Sequence, residues 1–237
     1  MKINEFIEEL KKIDIVLTNH QLKQFEDYAN YLLEYNKTTN LTAIRDIDGV
    51  YLKHFYDSIL VTKNPVINFN DIESILDVGS GAGFPGVVLK ILYPHIKLTL
   101  LDSNNKKTKF LDELIKVLHL DNVTTVNDRA ENFVKNHRHS FDITVARAVS
   151  ELRIISELCL PLTKVNGYFI ALKGKSEEEY LNAKSTIEGL DSEVSLVVQC
   201  HLPIEQSVRQ IFYIKVNKII DEKYPRPYDQ IIKKPLK

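Results

Sequence analysis

Residues 74–86 read SILDVGSGAGFPG, and no other segment restricts the fold of this chain as strongly. Ile75, Leu76 and Val78, with Asp77 among them, suit a buried strand; they run into Gly79, Gly81, Gly83 and Gly86, and the apolar stretch 87–92 follows. A strand that turns over glycines into a helix brings bare backbone close to a ligand. The G-x-G-x-x-G spacing of dinucleotide sites is met only loosely, because Phe84 occupies the position of the last glycine. Asp77, two residues before the first glycine, can reach an ammonium but would repel a phosphate. The third glycine comes one residue early, giving the G-x-G-x-G form typical of S-adenosylmethionine sites. These residues favour a methyl donor and leave a dinucleotide open.

Twenty-three residues after Gly79, the run Leu98-Thr99-Leu100-Leu101-Asp102 reads as a second buried strand ending in an acid. An acid there hydrogen-bonds a ribose diol in a βαβ unit. Both cofactors share that feature, so it argues for an adenosine ligand without choosing between them. The plainer reading of Asp102 is a cap on the helix that begins near Ser103.

Charge sets a limit on partners. With 31 Lys and Arg against 32 Asp and Glu, the net charge is −1, whereas a nucleic-acid binder usually carries a basic surplus. Polyanion binding must therefore use local patches. The candidates are Lys106, Lys107 and Lys109; Lys135, His137, Arg138 and His139; and the tail with Lys223, Arg226, Lys233, Lys234 and Lys237. No apolar run reaches the ~20 residues of a membrane span. The first fifteen residues lack the pattern of a signal peptide. Cys159 and Cys200 lie far apart without C-x-x-C spacing, so no zinc or other metal site is suggested and a cytoplasmic setting is expected.

Organisation follows from periodicity. Ile3, Phe6, Ile7, Leu10 and Ile13 recur at helical spacing. Thr18 and Gln21 form a capping box ahead of a second face carrying Leu22, Phe25, Ala29, Leu32, Leu33 and Asn36. A third helix is predicted over 50–61. From residue 74, strands near 75–78, 97–101, 123–126, 143–146 and 168–172 alternate with helices over 105–118, 151–159 and 176–187, the last opened by Ser176 and Glu179. Such alternation specifies a parallel sheet with crossover helices. The β-rich runs 194–198 and 211–216 have no long helix between them and predict an antiparallel pair at the sheet edge. The expected fold is α/β, a class I S-adenosylmethionine-dependent methyltransferase with a Rossmann-like seven-stranded sheet. Residues 1–66 would form a helical extension, 67–220 the core and 221–237 a basic tail that tracks phosphate and leaves donor affinity untouched.

Longer strings carry a resemblance. NLTAIRDIDGVYLKHFYDSIL at 40–60, LDVGSGAGFPGVVLKI at 76–91, LLDSNNKKTKFL at 100–111, FDITVARAV at 141–149 and GYFIALKGK at 167–175 together resemble the bacterial 16S ribosomal RNA guanine-N7 methyltransferases of the RsmG or GidB type, nearly end to end. The resemblance implies that Gly79 and Phe84 contact the donor, with Asp77 and Gly81 in the same loop. It also implies that Ala130 and Glu131 edge its adenine, that Asp102 holds the ribose, and that Arg147 lies beside the donor and faces the substrate. The partner it implies is a decoding-region loop (the 530 loop) of 16S ribosomal RNA in the small ribosomal subunit; no obligate protein partner is evident. The tail departs from the family pattern at Tyr228-Asp229-Gln230, and the strand VRQIFYIK is less basic than the family pattern.

Guanine N7 carries no proton in the neutral base, so its methylation needs positioning and electrostatics and no general base. Arg147 is the candidate catalytic residue: an arginine at a strand's carboxyl end points into the crevice where open α/β sheets bind ligands. Its fork suits a donor carboxylate or guanine O6. His54 and Asp57, with Ser58 beside them, sit on one helix face and are expected to brace the N-terminal helices against the core. Lys173 and Lys175 could approach phosphate. Competing readings are a 2′-O- or small-molecule methyltransferase, a nicotinamide-dependent dehydrogenase, and an inactive RNA-binding module.

Overall fold

A computed structural model describes residues 1–174 and 177–236; Lys175, Lys237 and the Ser176 cap lie outside the described residues. Seven strands form one sheet in the order β3-β2-β1-β4-β5-β7-β6. They are β1 (Ser74–Val78), β2 (Lys97–Asp102), β3 (Val123–Asn127), β4 (Phe141–Arg147), β5 (Thr163–Gly174), β6 (Ser192–His201) and β7 (Val208–Val216). The first five pair in parallel, and β7 runs antiparallel to both β5 and β6. The antiparallel pair expected at the edge is thus asymmetric: β7 lies inside the sheet and β6 alone forms the edge. Side-chain pattern explains the order. The middle of β7 is a run of buried apolar residues, as a strand covered on both faces requires, whereas β6 alternates intermediate and exposed residues.

The chain reverses its strand order on leaving β1, with β2 and β3 on one side and β4 on the other. Open α/β sheets bind ligands at the carboxyl ends of the strands flanking such a switch point. Helices α5 (Gly86–Leu92), α6 (Asn105–Val117), α7 (Ala130–His137), α8 (Leu152–Cys159) and α9 (Glu177–Gly189) connect the strands, and α10 (Tyr228–Lys233) lies in the tail.

The N-terminal residues form α1 (Ile3–Lys11), α2 (Asn19–Thr39) and a helical run that changes winding: α3 (Ile47–Val50), a π turn (Tyr51–Tyr56), α4 (Asp57–Ile59) and a 3₁₀ turn (Leu60–Thr62). The Thr18 and Gln21 side chains cap α2 reciprocally. These helices have no separate core. Phe6, Phe25, Tyr28 and Phe55 belong to one buried cluster with Val87 of α5, Phe110 and Leu111 of α6 and Tyr213 of β7. The second cluster fills the other face, where α7, α8 and α9 cover the sheet and Ile220, just before the tail, and Ile231 within it join them. Among the described residues no helix is long and apolar enough to cross a membrane.

Candidate active site

Two cavities meet at the carboxyl ends of the strands and share Ala148 as a wall. The first, about 360 Å³, is lined by Gly79 of the glycine turn, Asp102 and Lys107, and Asp128 to Glu131 after β3. Val149, Ile155, Leu158 and Tyr228 complete its wall. The second, about 330 Å³, is a cleft between the N-terminal helices and the ends of β4, β5 and β7, lined by Lys53, His54, Asp57, Arg147, Lys173 and Arg209 among others. Ala148 itself holds a φ of 54°, a left-handed conformation that costs a residue with a Cβ about 1–2 kcal/mol. Strain of this kind clusters where backbone must pass between functional surfaces.

The glycine turn is held from three sides. Gly79, with φ of 72°, lies flush with the first cavity: a Cβ there would come 2.7 Å from Cγ2 of Val149. Asp77 is fully buried; its Oδ2 accepts from the Gly86 amide at 2.7 Å, tying the turn's start to the first residue of α5. Its Oδ1 is buried with no hydrogen-bond partner among the described residues, and burial pushes the carboxyl up to about 7. From the other side Tyr28 of α2 donates to the Ala82 carbonyl at 2.5 Å. Gly83, with φ of 96°, leaves room for that phenol, since a Cβ would meet the Tyr28 oxygen at 2.6 Å.

Asp102 ends β2 with both oxygens engaged: Oδ2 accepts from the Gly81 amide at 2.9 Å and Oδ1 from the Asn104 amide at 2.8 Å. Each oxygen keeps a second lone pair for a diol. Asp102 does not cap the following helix. Asn104 does, accepting from the Lys106 amide.

Of the residues singled out for the donor, Gly79, Asp102, Ala130 and Glu131 line the first cavity, whereas Asp77, Gly81, Phe84 and Arg147 are not on its wall. Asp77 and Gly81 act one step behind, through the bonds just described. Phe84 faces the other way. It is 5% exposed, stacks on Tyr28 at 5.2 Å and on His54 at 4.4 Å, and lies 4.9 Å beneath the Arg147 guanidinium.

Arg147 forms part of the second cavity's wall and is more tightly held than a crevice arginine reached from one strand. Its Nη1 donates to the Lys53 carbonyl and to Asp57 Oδ2, each at 3.0 Å. Nη2 lies 3.2 Å from His54 Nδ1. The π turn falls at this contact, as such turns often do at functional sites: Lys53, within it, presents its carbonyl to the guanidinium. An arginine donates only, so Nδ1 of His54 accepts and Nε2 carries the proton, which it gives to Thr42 Oγ1 at 2.9 Å. Burial, then the Arg147 charge, lowers the His54 pKa to about 3. Asp57 bridges two arginines, Arg147 through Oδ2 and Arg209 Nε, at 2.7 Å, through Oδ1. The expected brace between the N-terminal helices and the core therefore exists, but it runs through Arg147. Ser58 donates back to the His54 carbonyl at 2.6 Å and takes no part.

The cleft is cationic with partial compensation. Lys53 pairs with Glu205 at 2.7 Å, and Lys173 with Glu179 at 2.6 Å as well as with the Ser150 carbonyl. The other basic clusters fare differently. Lys106 and Lys109 are exposed, and Lys107 sits 3.7 Å from Asp102. Arg138 is spent on the carbonyls of Tyr224, Ile220 and Asp221, and His139 on the Thr163 carbonyl and the Ile220 amide. The tail is not free either. Arg226 grips the fully buried Glu157 of α8 through Nε at 2.8 Å and Nη2 at 2.6 Å, and Ile231 is fully buried. Glu157 is legible in the sequence as an acid in an apolar helix that needs a partner; nothing local names Arg226.

The sheet order, the glycine turn flush with a cavity and the acid ending β2 define a class I S-adenosylmethionine-dependent methyltransferase. Solved structures agree on the fold: a SAM-dependent methyltransferase from Aquifex aeolicus (TM-score 0.53, 19% identity, 70% of this chain and 93% of that one) and Aeropyrum pernix fibrillarin with S-adenosyl-L-methionine (TM-score 0.53, 14% identity, 67% and 73%). The family model described as GidB, rRNA small subunit methyltransferase G, matches residues 21–209. Ribosomal RNA small subunit methyltransferase G of Bacillus subtilis is 48% identical over 95% of both chains, and that of Halalkalibacterium halodurans is 43% identical over the whole of both. The chain belongs to the rRNA small subunit methyltransferase G family.

Proposed function

We propose that this protein methylates N7 of a guanine in a loop of 16S ribosomal RNA, the 530 loop of the decoding region, drawing the methyl group from S-adenosylmethionine. The observation that carries the reading is the pair of cavities joined at Ala148. One has the glycine wall and ribose acid of a donor site; the other has arginines and lysines for a nucleotide and its phosphate. Gly79 offers close backbone approach, Asp102 the acceptor for a ribose diol, and Ala130 and Glu131 an edge for adenine. The sulfonium donor, when bound, supplies an electrophilic methyl group.

The protein's own part is orientation. The N7 lone pair needs no base, and the buried His54 is neutral and an acceptor toward Arg147, so it holds the guanidinium in place and takes no proton from substrate. Arg147 then presents its fork to guanine O6 or to the donor's carboxylate. A-form RNA hides N7 in a deep, narrow major groove, so the target is an unpaired or flipped base. A 2′-O-methyltransferase would need an acid where Arg147 stands.

Incubation of the protein with labelled S-adenosylmethionine and 16S RNA, as free RNA and as 30S particles, followed by nucleoside analysis, tests the reading. The label is expected in 7-methylguanosine. Label in a 2′-O-methyl nucleoside, or none in either substrate, would overturn it.

A further inference from the structure

We propose that Tyr228 is the aromatic wall on which the donor's adenine stacks, which makes the C-terminal segment part of the cofactor site. The proposal rests on assigning the 360 Å³ cavity to S-adenosylmethionine. Tyr228 reaches that cavity from the far end of the chain and is only half-buried. It opens α10 directly after Pro227. Both α7, which begins at Ala130, and α10 pack on α8, and Ile155 and Leu158 of α8 line the same wall. The phenol ring therefore lines the same cavity as Ala130, Glu131, Ile155 and Leu158. Ala130, Ile155 and Leu158 offer an apolar surface and Glu131 an acceptor, which together suit a flat heteroaromatic ring with an exocyclic amine.

The segment that carries the ring is anchored on both sides. Before it, Arg138 clasps the carbonyls of Ile220, Asp221 and Tyr224. Two residues from it, Arg226 closes its fork on buried Glu157, and its Nη1 donates to the Lys234 carbonyl at 2.9 Å, across α10. After it, Ile231 is fully buried and Thr186 donates to the Leu236 carbonyl at 2.7 Å. An aromatic side chain fixed before the ligand arrives loses little freedom on stacking. Of the tail's basic side chains, Arg226 serves this end.

The chain contains no tryptophan, so Tyr228→Trp places a single fluorophore in the wall. Titration of that variant with S-adenosylmethionine should change its emission saturably, and calorimetry should return an affinity close to wild type. In Tyr228→Ala the donor should bind roughly 5- to 150-fold more weakly, the range covered by loss of one base–aromatic stack, while Tyr228→Phe stays within about twofold. The KM for donor should rise in the alanine variant with the KM for RNA unmoved. Unchanged donor affinity in Tyr228→Ala, or a tryptophan blind to donor that calorimetry shows to be bound, overturns the proposal. If Asp102→Ala also binds donor normally, the cavity assignment itself falls, and with it this inference.

Discussion

Replacing Arg147 with alanine should cost about 3 kcal/mol of stability and nearly all methyl transfer. Breaking one side of a buried ion pair typically costs about 3–5 kcal/mol. The lower end applies here, because Asp57 keeps Arg209 at 2.7 Å and is not left as an isolated charge. The Lys53 carbonyl loses a donor and Phe84 loses a cation at 4.9 Å, the latter worth about 0.5–1 kcal/mol. For a chain of this size each kcal/mol lowers Tm by about 2–4 °C, so melting followed by circular dichroism at pH 7.5 should fall by about 6–12 °C. The variant should still be folded at 25 °C, where total stability is about 5–15 kcal/mol. His54 offers an independent reading. Burial and then the Arg147 charge hold its pKa at about 3, so its NMR titration should move to higher pH once the guanidinium is gone. Arg147→Lys should regain part of the Tm by pairing with Asp57 but little turnover, since an ammonium cannot reproduce the fork. A Tm within 2 °C of wild type would refute the brace, and near-normal turnover in the alanine variant would refute the orienting role.

Three other substitutions test separate parts of the site. Asp102→Ala should weaken S-adenosylmethionine binding by about tenfold or more, since a charge-assisted hydrogen bond is worth about 1.5–3 kcal/mol; calorimetry reads it directly. Arg226→Ala takes the guanidinium from buried Glu157 and leaves it the residue-226 amide, so urea denaturation should show a loss of about 3 kcal/mol, against little change if the segment were a free tail. Asp77→Asn should gain on wild type as pH rises from about 4 to 7, by up to about 1.4 kcal/mol per pH unit, and the difference should be flat above 7. The sign follows from the folded-state pKa of about 7 against 3.8: the folded protein keeps this proton longer than the unfolded chain, so stability from the protonated acid is lost as pH climbs through that window. A pH-independent difference in denaturation midpoints would show that Asp77 titrates normally.

Sequence made the parallel half of the sheet and the glycine turn legible because their signals are local. Runs such as Leu98–Leu101 announce buried strands, and Gly79 and Gly83 stand where φ is positive. What sequence left hidden is non-local. Arg147 was legible as a strand-end arginine, but its partners His54 and Asp57 come from a helix 93 and 90 residues earlier. The π turn that offers the Lys53 carbonyl leaves no trace in composition, because one extra residue per turn barely disturbs helical spacing. Tyr28, which holds the glycine turn, reads as one more residue on an apolar helix face. Phe84 sits in the donor loop by sequence, yet its ring packs between Tyr28 and His54. The tail's charges suggested phosphate contact; Arg226 instead neutralises an acid 69 residues away.

If the two cavities joined at Ala148 are successive stations of one transfer, a donor held in the first must aim its methyl group at the second. A crystal structure of the protein with S-adenosylmethionine tests it most directly. The ribose is expected on Asp102, adenine between Ala130 and Tyr228, and the sulfonium methyl directed past Ala148 into the cleft of Arg147 and Arg209. A donor seated in the first cavity with its methyl turned away from that cleft, or a donor bound elsewhere, would contradict it.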